Sequence, residues 1–189
     1  MTKQQDIDKL EQDIIDKKVC PELSRQASRL VMGSGNPSAD IVFIGEAPGK
    51  SEDEQGLPFV GASGKFLDEM LAAAGMNRDE VYITNIVKYR PPNNRDPLPE
   101  EKQQFWPYLI RQLEIIQPKV IITLGRHSGM CFIPDLVISK DHGQTRQFRY
   151  ENGEFTVIPL YHPAAALYNG NMRPVLIEDF LQASLRAKA

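Results

Sequence analysis

Three polar residues stand where apolar runs of the chain give out. Glu46 follows "DIVFIG" (40–45), Asn85 closes "EVYITN" (80–85) and His162 closes "FTVIPLYH" (155–162). Gly125 closes a fourth run, "KVIITLG" (119–125). The Asn85 amide offers one acceptor and two donors. Held in place, it pairs with a ring edge that presents an acceptor beside a donor, such as O4 and N3–H of uracil. Cytosine presents the opposite pattern there. An unpaired buried polar group costs about 1–3 kcal/mol, so a few such contacts select strongly. His162 supplies a donor for negative charge growing on a departing ring, and Pro163 after it restricts its backbone to extended conformations. Phe59, in the loop "LPFVG", is placed to stack on such a ring.

The loop "IGEAPGKSEDEQGLPFVGASGK" (44–65) resembles a phosphate loop in its glycines and its place between a strand and a helix. It carries four carboxylates, however, and does not match the G-x-x-x-x-G-K-[ST] spacing that a phosphate loop requires. No G-x-G-x-x-G follows a strand, and there is no G-x-S-x-G elbow. His127, His142 and His162 are not spaced for zinc, and no metal site is expected. NTPase, dehydrogenase, serine hydrolase and zinc-enzyme readings therefore lack support.

The elements that position these residues follow from periodicity. The four apolar runs are β-branched on both faces, as buried strands of a parallel sheet are. Between them lie "GKFLDEMLAAAG", which stops at Gly75, and "PEEKQQFWPYLIRQLEIIQP", where Pro107 predicts a kink or an interrupted start. Ile7, Leu10 and Ile14 predict an amphipathic N-terminal helix within residues 1–20, and "PVLIEDFLQASLRA" predicts the last helix. The expected fold is α/β: a three-layer α/β/α sandwich around a central, mainly parallel four-stranded sheet, forming one domain over 1–189. Ligands of open α/β sheets bind beyond the carboxyl ends of the strands, where Glu46, Asn85, Gly125 and His162 gather.

Composition is ordinary for a globular chain, at 41% hydrophobic and 25% charged residues. The N-terminus lacks a signal-peptide layout and no run has membrane-spanning length, so a cytoplasmic protein without membrane association is expected, most simply a monomer. Cys20 and Cys131 form no disulfide framework. A net charge of −3 does not exclude nucleic acid, because a local basic patch suffices. Lys88, Arg90, Arg95, Arg126, Lys140 and Arg146 are candidates for one.

The blocks "GEAPGKSEDEQGLPFVGASGKFL", "VYITNIVKYRPPNNRDPLPEE", "VIITLG" and "YHPAAAL", in that order and with the lead-in "GSGNPSADIVFIGEAPG", resemble the family 4 type of uracil-DNA glycosylase over roughly residues 30 to 180. The resemblance implies a DNA-repair enzyme that flips uracil out of DNA and hydrolyses its N-glycosidic bond, leaving an abasic site. It implies that Glu46 positions water or supports the positive sugar, and that Gly45 and Ala47 lie beneath the flipped nucleotide. Phe59 stacks on uracil, Asn85 reads its polar edge, Glu52 sits in the pocket, and His162 donates to uracil O2. Gly125, Arg126 and the segment Pro163, Ala164, Ala165 to Leu167 face the DNA. Nothing is placed like the nucleophilic lysine of a lyase, so no strand cutting is expected. Rival expectations are a glycosylase of the same superfamily for another deaminated or mismatched base, and a non-catalytic DNA-binding module.

One departure stands out. The family holds an iron–sulfur cluster on four cysteines, whose places here fall on Lys17, Cys20, Tyr89 and Phe105. A cluster needs thiolates. None is expected, and packing of Tyr89, Phe105, Trp106 and Tyr108 is expected to hold the region instead.

Overall fold

The computed structural model describes all 189 residues. Its strands are β1 (Ser34–Gly35), β2 (Ile41–Gly45), β3 (Tyr82–Asn85), β4 (Val120–Leu124), β5 (Arg146–Tyr150) and β6 (Gly153–Leu160). Its α-helices are α1 (Lys3–Asp16), α2 (Pro21–Ser24), α3 (Lys50–Gln55), α4 (Ala62–Ala73), α5 (Pro99–Ile116), α6 (Arg126–Met130), α7 (Ile138–Asp141), α8 (Ala164–Tyr168) and α9 (Arg173–Lys188). The strands form one sheet in the order β1-β3-β2-β4-β6-β5. The inner four, β3, β2, β4 and β6, are parallel and are the four apolar runs of the sequence.

The sheet is six-stranded rather than four-stranded. β1 and β5 add antiparallel edges. Two residues are too few to leave a pattern, and "RQFRY" alternates half-buried with exposed positions instead of forming an apolar run.

Alternation along the buried strands feeds two cores. Val42, Ile44, Tyr82, Ile121 and Val157 face one side, with Ile7, Leu10 and Ile14 of α1 and Phe105, Leu109 and Leu113 of α5. Ile41, Phe43, Ile83, Ile122 and Ile158 face the other, with Phe66, Leu67 and Met70 of α4 and Leu176 and Phe180 of α9. Helices thus cover both faces, and Phe180 stacks on Phe43 at 5.2 Å. Thr2 caps α1 by accepting the Gln5 N–H, while Gln5 Oε1 accepts the Thr2 N–H.

α5 runs unbroken through Pro107. The expected interruption is absent because Pro107 and Gln103 both lie on the exposed face, where water serves the carbonyl that a proline leaves without a donor. No helix is long and apolar enough to cross a membrane.

Candidate active site

β2 ends at Gly45 directly beside Asn85, the last residue of β3. The ladder then continues into the loops, with Ile86 N–H on Gly45 O and Val87 N–H on Glu46 O. This brings Glu46 and Asn85 to the same end of the sheet. Gly45 is there because nothing larger fits: a Cβ would lie 2.4 Å from Asn85 Oδ1 and 2.6 Å from Phe59 Cζ. Asn85 is 2% exposed, lines the cleft, and uses neither amide atom in a hydrogen bond to the protein. Buried amides are normally satisfied, so this one stands out as open to the cleft.

Phe59 sits at φ +51°, a left-handed conformation that an aromatic residue adopts only when its surroundings impose it. They do so from two sides. Arg78, in the 3₁₀ turn Arg78–Glu80 before β3, donates to the carbonyls of Pro58 (3.0 Å), Phe59 and Gly64. Glu52 Oε1 accepts the N–H groups of Val60 (2.9 Å) and Gly61 (2.8 Å). Gly64 has to be glycine, because a Cβ would collide with Phe59 O at 1.8 Å. The Phe59 ring is thereby held 5.8 Å from the His162 ring.

His162 lies two residues past β6, and Gly125, at φ +98°, lets the β4 loop pass it. A Cβ on Gly125 would stand 3.1 Å from His162 Cβ. His162 Nδ1 accepts the Ala164 N–H at 3.0 Å, which leaves the proton of a neutral ring on Nε2. Burial pushes the imidazole down to about 4, so it is neutral at pH 7.

Glu46 Oε2 is 3.4 Å from both Lys102 Nζ and His127 Nδ1, and His127 Nε2 is 3.7 Å from Asp96. Burial pushes the Glu46 carboxyl up from the usual range, while Lys102 and His127 pull it back. The donor atoms of Glu46, Asp96 and His127 lie within 4.8 Å of one another, a spacing that metal ligands also have. The Lys102 ammonium on the same Glu46 oxygen disfavours a cation there.

The cleft has a volume of about 440 Å³ and gathers Glu46, Ala47, Glu52, Phe59, Asn85, Gly125, Arg126 and His162 on its wall. Gly45 is not on the wall; it lies behind it, where a Cβ would meet Asn85 and Phe59. Pro163 is buried, Ala165 packs on the core, and Ala164 starts α8, so none of the three is on the wall. The segment instead turns outward at Leu167, 50% exposed, and Tyr168, 91% exposed and at the rim. Sequence reasoning missed Tyr168, Asp96 and His127, which also line the cleft, as does Arg95 of the candidate basic patch. An aromatic just past "HPAAAL" was the available signal for Tyr168; nothing local marks the others.

One of the basic-patch readings needs correction. Lys88 belongs to no basic patch, because it is 0% exposed. Arg95 is bound to both carboxylate oxygens of Glu101, at 2.9 and 2.7 Å.

The places of the family's cluster ligands hold one thiol. Cys20 is 0% exposed and in the same apolar cluster as Tyr89 and Phe105, whose rings meet edge-on at 5.9 Å. Tyr108 and Trp106 both pack against that cluster, Trp106 meeting Phe132 (5.2 Å) and Phe148 (5.8 Å) there. One thiol among a phenol, a phenyl ring and a lysine does not fit an iron–sulfur cluster.

An unpaired amide, a neutral imidazole, a phenyl ring and a carboxylate thus meet at the carboxyl edge of the α/β sheet. Comparison with known proteins identifies the family. The profile of the uracil DNA glycosylase superfamily matches residues 32–184. The chain is 47% identical over 180 residues to a type-4 uracil-DNA glycosylase of Sulfurisphaera tokodaii, covering 92% of this chain and 81% of the relative. It is 46% identical to the type-4 enzyme of Archaeoglobus fulgidus, covering 92% and 89%, and 40% identical to that of Thermotoga maritima, covering 87% and 85%. The chain belongs to the uracil-DNA glycosylase superfamily, among its type-4 members.

Proposed function

We propose that the cleft receives a uracil flipped out of DNA and that the chain hydrolyses its N-glycosidic bond, leaving an abasic site. The chain is a uracil-DNA glycosylase, a DNA-repair enzyme. The observation that carries the site reading is the Asn85 amide, buried in the cleft without a protein partner, beside a neutral His162 and the ring of Phe59.

In this reading uracil lies against Phe59, over Gly45 and Ala47, and presents O4 and N3–H to Asn85. The bond between C1′ of the sugar and N1 of the base breaks, and its electron pair leaves with the ring. Nε2–H of His162 donates to O2 as that charge grows. A preorganised donor acts here without reorganisation and without needing a net positive charge. Glu46 orients the water whose oxygen bonds to C1′ and supports positive charge on the sugar. The proton lost by the water balances the charge of the departing base. Glu52 acts by pinning the loop of Phe59. Gly125, Arg126 and the outward end of α8, Leu167 and Tyr168, face the DNA, with Pro163, Ala164 and Ala165 supporting that end from within.

We read the chain further as one cytoplasmic domain that acts as a monomer on uracil-containing DNA, with no metal, no cluster and no strand cutting. An iron assay and a visible spectrum on protein purified without oxygen test the cluster claim, and a bound cluster sinks it. Function is tested by uracil release from single- and double-stranded oligonucleotides, with Asn85→Ala and His162→Ala alongside. Release by the wild type and its collapse in both variants is expected. No release from either substrate, or full activity in both variants, rejects the reading. Release from a duplex bearing another deaminated base, or tight salt-sensitive binding without release, would assign the chain to a different lesion or to a binding role.

A further inference from the structure

Lys88 is a buried titratable group to which the reaction above gives no part. It is 0% exposed and forms no ion pair. A lysine in such a place is costly, and an apolar side chain of the same volume would serve packing better. Its three protons meet three acceptors: Thr84 Oγ1 at 2.5 Å, Gln112 Oε1 at 2.7 Å and the Asn85 carbonyl at 2.9 Å. Thr84 in turn donates to Met32 O at 2.8 Å, and Gln112 donates to Met32 O at 3.0 Å and to the Tyr82 hydroxyl at 3.1 Å. Every member of this network is satisfied, and together they tie the end of β3 to α5 and to the segment before β1. Fully satisfied buried networks specify one geometry where apolar packing tolerates several.

The carbonyl at the centre of the network belongs to Asn85. Its amide is the group in the cleft with no protein partner, at the strand end where Gly45 leaves no room for a side chain. We propose that Lys88 is a positioning residue for base selection: it clamps the Asn85 carbonyl to α5 and so fixes the plane of the Asn85 amide against the base. This inference rests on Asn85 being the group that reads the base. Burial pushes the Lys88 amine down to about 7, as befits a cation with acceptors but no anion.

A double-mutant cycle tests it. Lys88→Met keeps the length of the side chain and removes the donors. Single-turnover release from an oligonucleotide carrying one uracil should fall about 10- to 100-fold, with DNA affinity unchanged, because small displacements of a positioning group cost rate. In an Asn85→Ala background the same substitution should cost no more than about 2-fold, since the group it positions is gone. A merely structural role gives a lower Tm and an equal rate loss in both backgrounds, or none in either; those outcomes overturn the proposal. Full activity in Asn85→Ala alone overturns both this inference and the site reading it rests on. If Lys88→Met does not fold, Thr84→Val removes one acceptor that steadies the amine, while Met32 O keeps its bond from Gln112. It should show a smaller loss that likewise vanishes in Asn85→Ala, and a loss that persists there, or no loss, overturns the proposal.

Discussion

Two loops leave neighbouring strands at the same edge of the sheet and end in opposite ways. The loop after β2 holds Phe59 in a left-handed conformation, needs Gly45 and Gly64 for clearance, and leads to an edge where the Asn85 amide is left without a partner. The segment after β3 buries Lys88 with every donor matched, sets Tyr89 edge-on to Phe105, and closes on α5 through Arg95 and Glu101. Strain and unpaired polarity mark the first, packing and satisfaction the second. Binding sites carry unmet valence that a folded core cannot tolerate, so the first loop meets the ligand directly, while the second steadies the site from behind through Lys88 and reaches the cleft only at its far end, with Arg95 and Asp96.

That division can be broken by mutation. Phe105→Ala empties the middle of the packed region and should lower stability by about 3–5 kcal/mol. Its uracil-release rate, measured well below its own Tm, should stay within about 2-fold of wild type. A large rate loss there would mean that the aromatic packing, and not only Lys88, positions the site. His162→Ala is the converse. Loss of one preorganised donor should slow single-turnover release by about 10²- to 10³-fold, with thermal unfolding hardly changed. Arg78→Met frees the three carbonyls that hold Phe59, and should slow release by about 10- to 100-fold while weakening binding of free uracil. Unaltered kinetics would mean that Glu52 alone suffices to hold the loop.

The smallest effect sharpens the boundary. Folded Lys88 releases its proton near pH 7, whereas the unfolded residue holds it until near 10.5. Between these values the unfolded chain binds more protons, so stability rises with pH. Denaturant unfolding between pH 7 and 8.5 should show that rise in the wild type and a flatter line in Lys88→Met. Equal slopes would show that the lysine is not held away from water.

The inner strands were legible because they are continuous β-branched runs, and the strand-end positions of Glu46, Asn85 and His162 followed from the α/β topology. β5 was not, since a half-exposed edge strand leaves no apolar run. Lys88 read as a surface charge because its burial is decided by Gln112, far along the chain in α5. The pairing of Glu46 with His127 is likewise tertiary, made between the loop after β2 and α6 after β4. Phe59 was legible as an aromatic in a glycine-rich loop, but its strain was not, because Arg78 imposes it from beyond α4.

The claim on which all of this turns is that the Asn85 amide waits for a uracil edge. The side-chain amide resonances of Asn85, followed by ¹⁵N–¹H correlation spectra during titration with free uracil and separately with free cytosine, test it without any mutation. The account predicts that they move and saturate with uracil and stay still with cytosine. Resonances that ignore uracil, or respond equally to both bases, would contradict it.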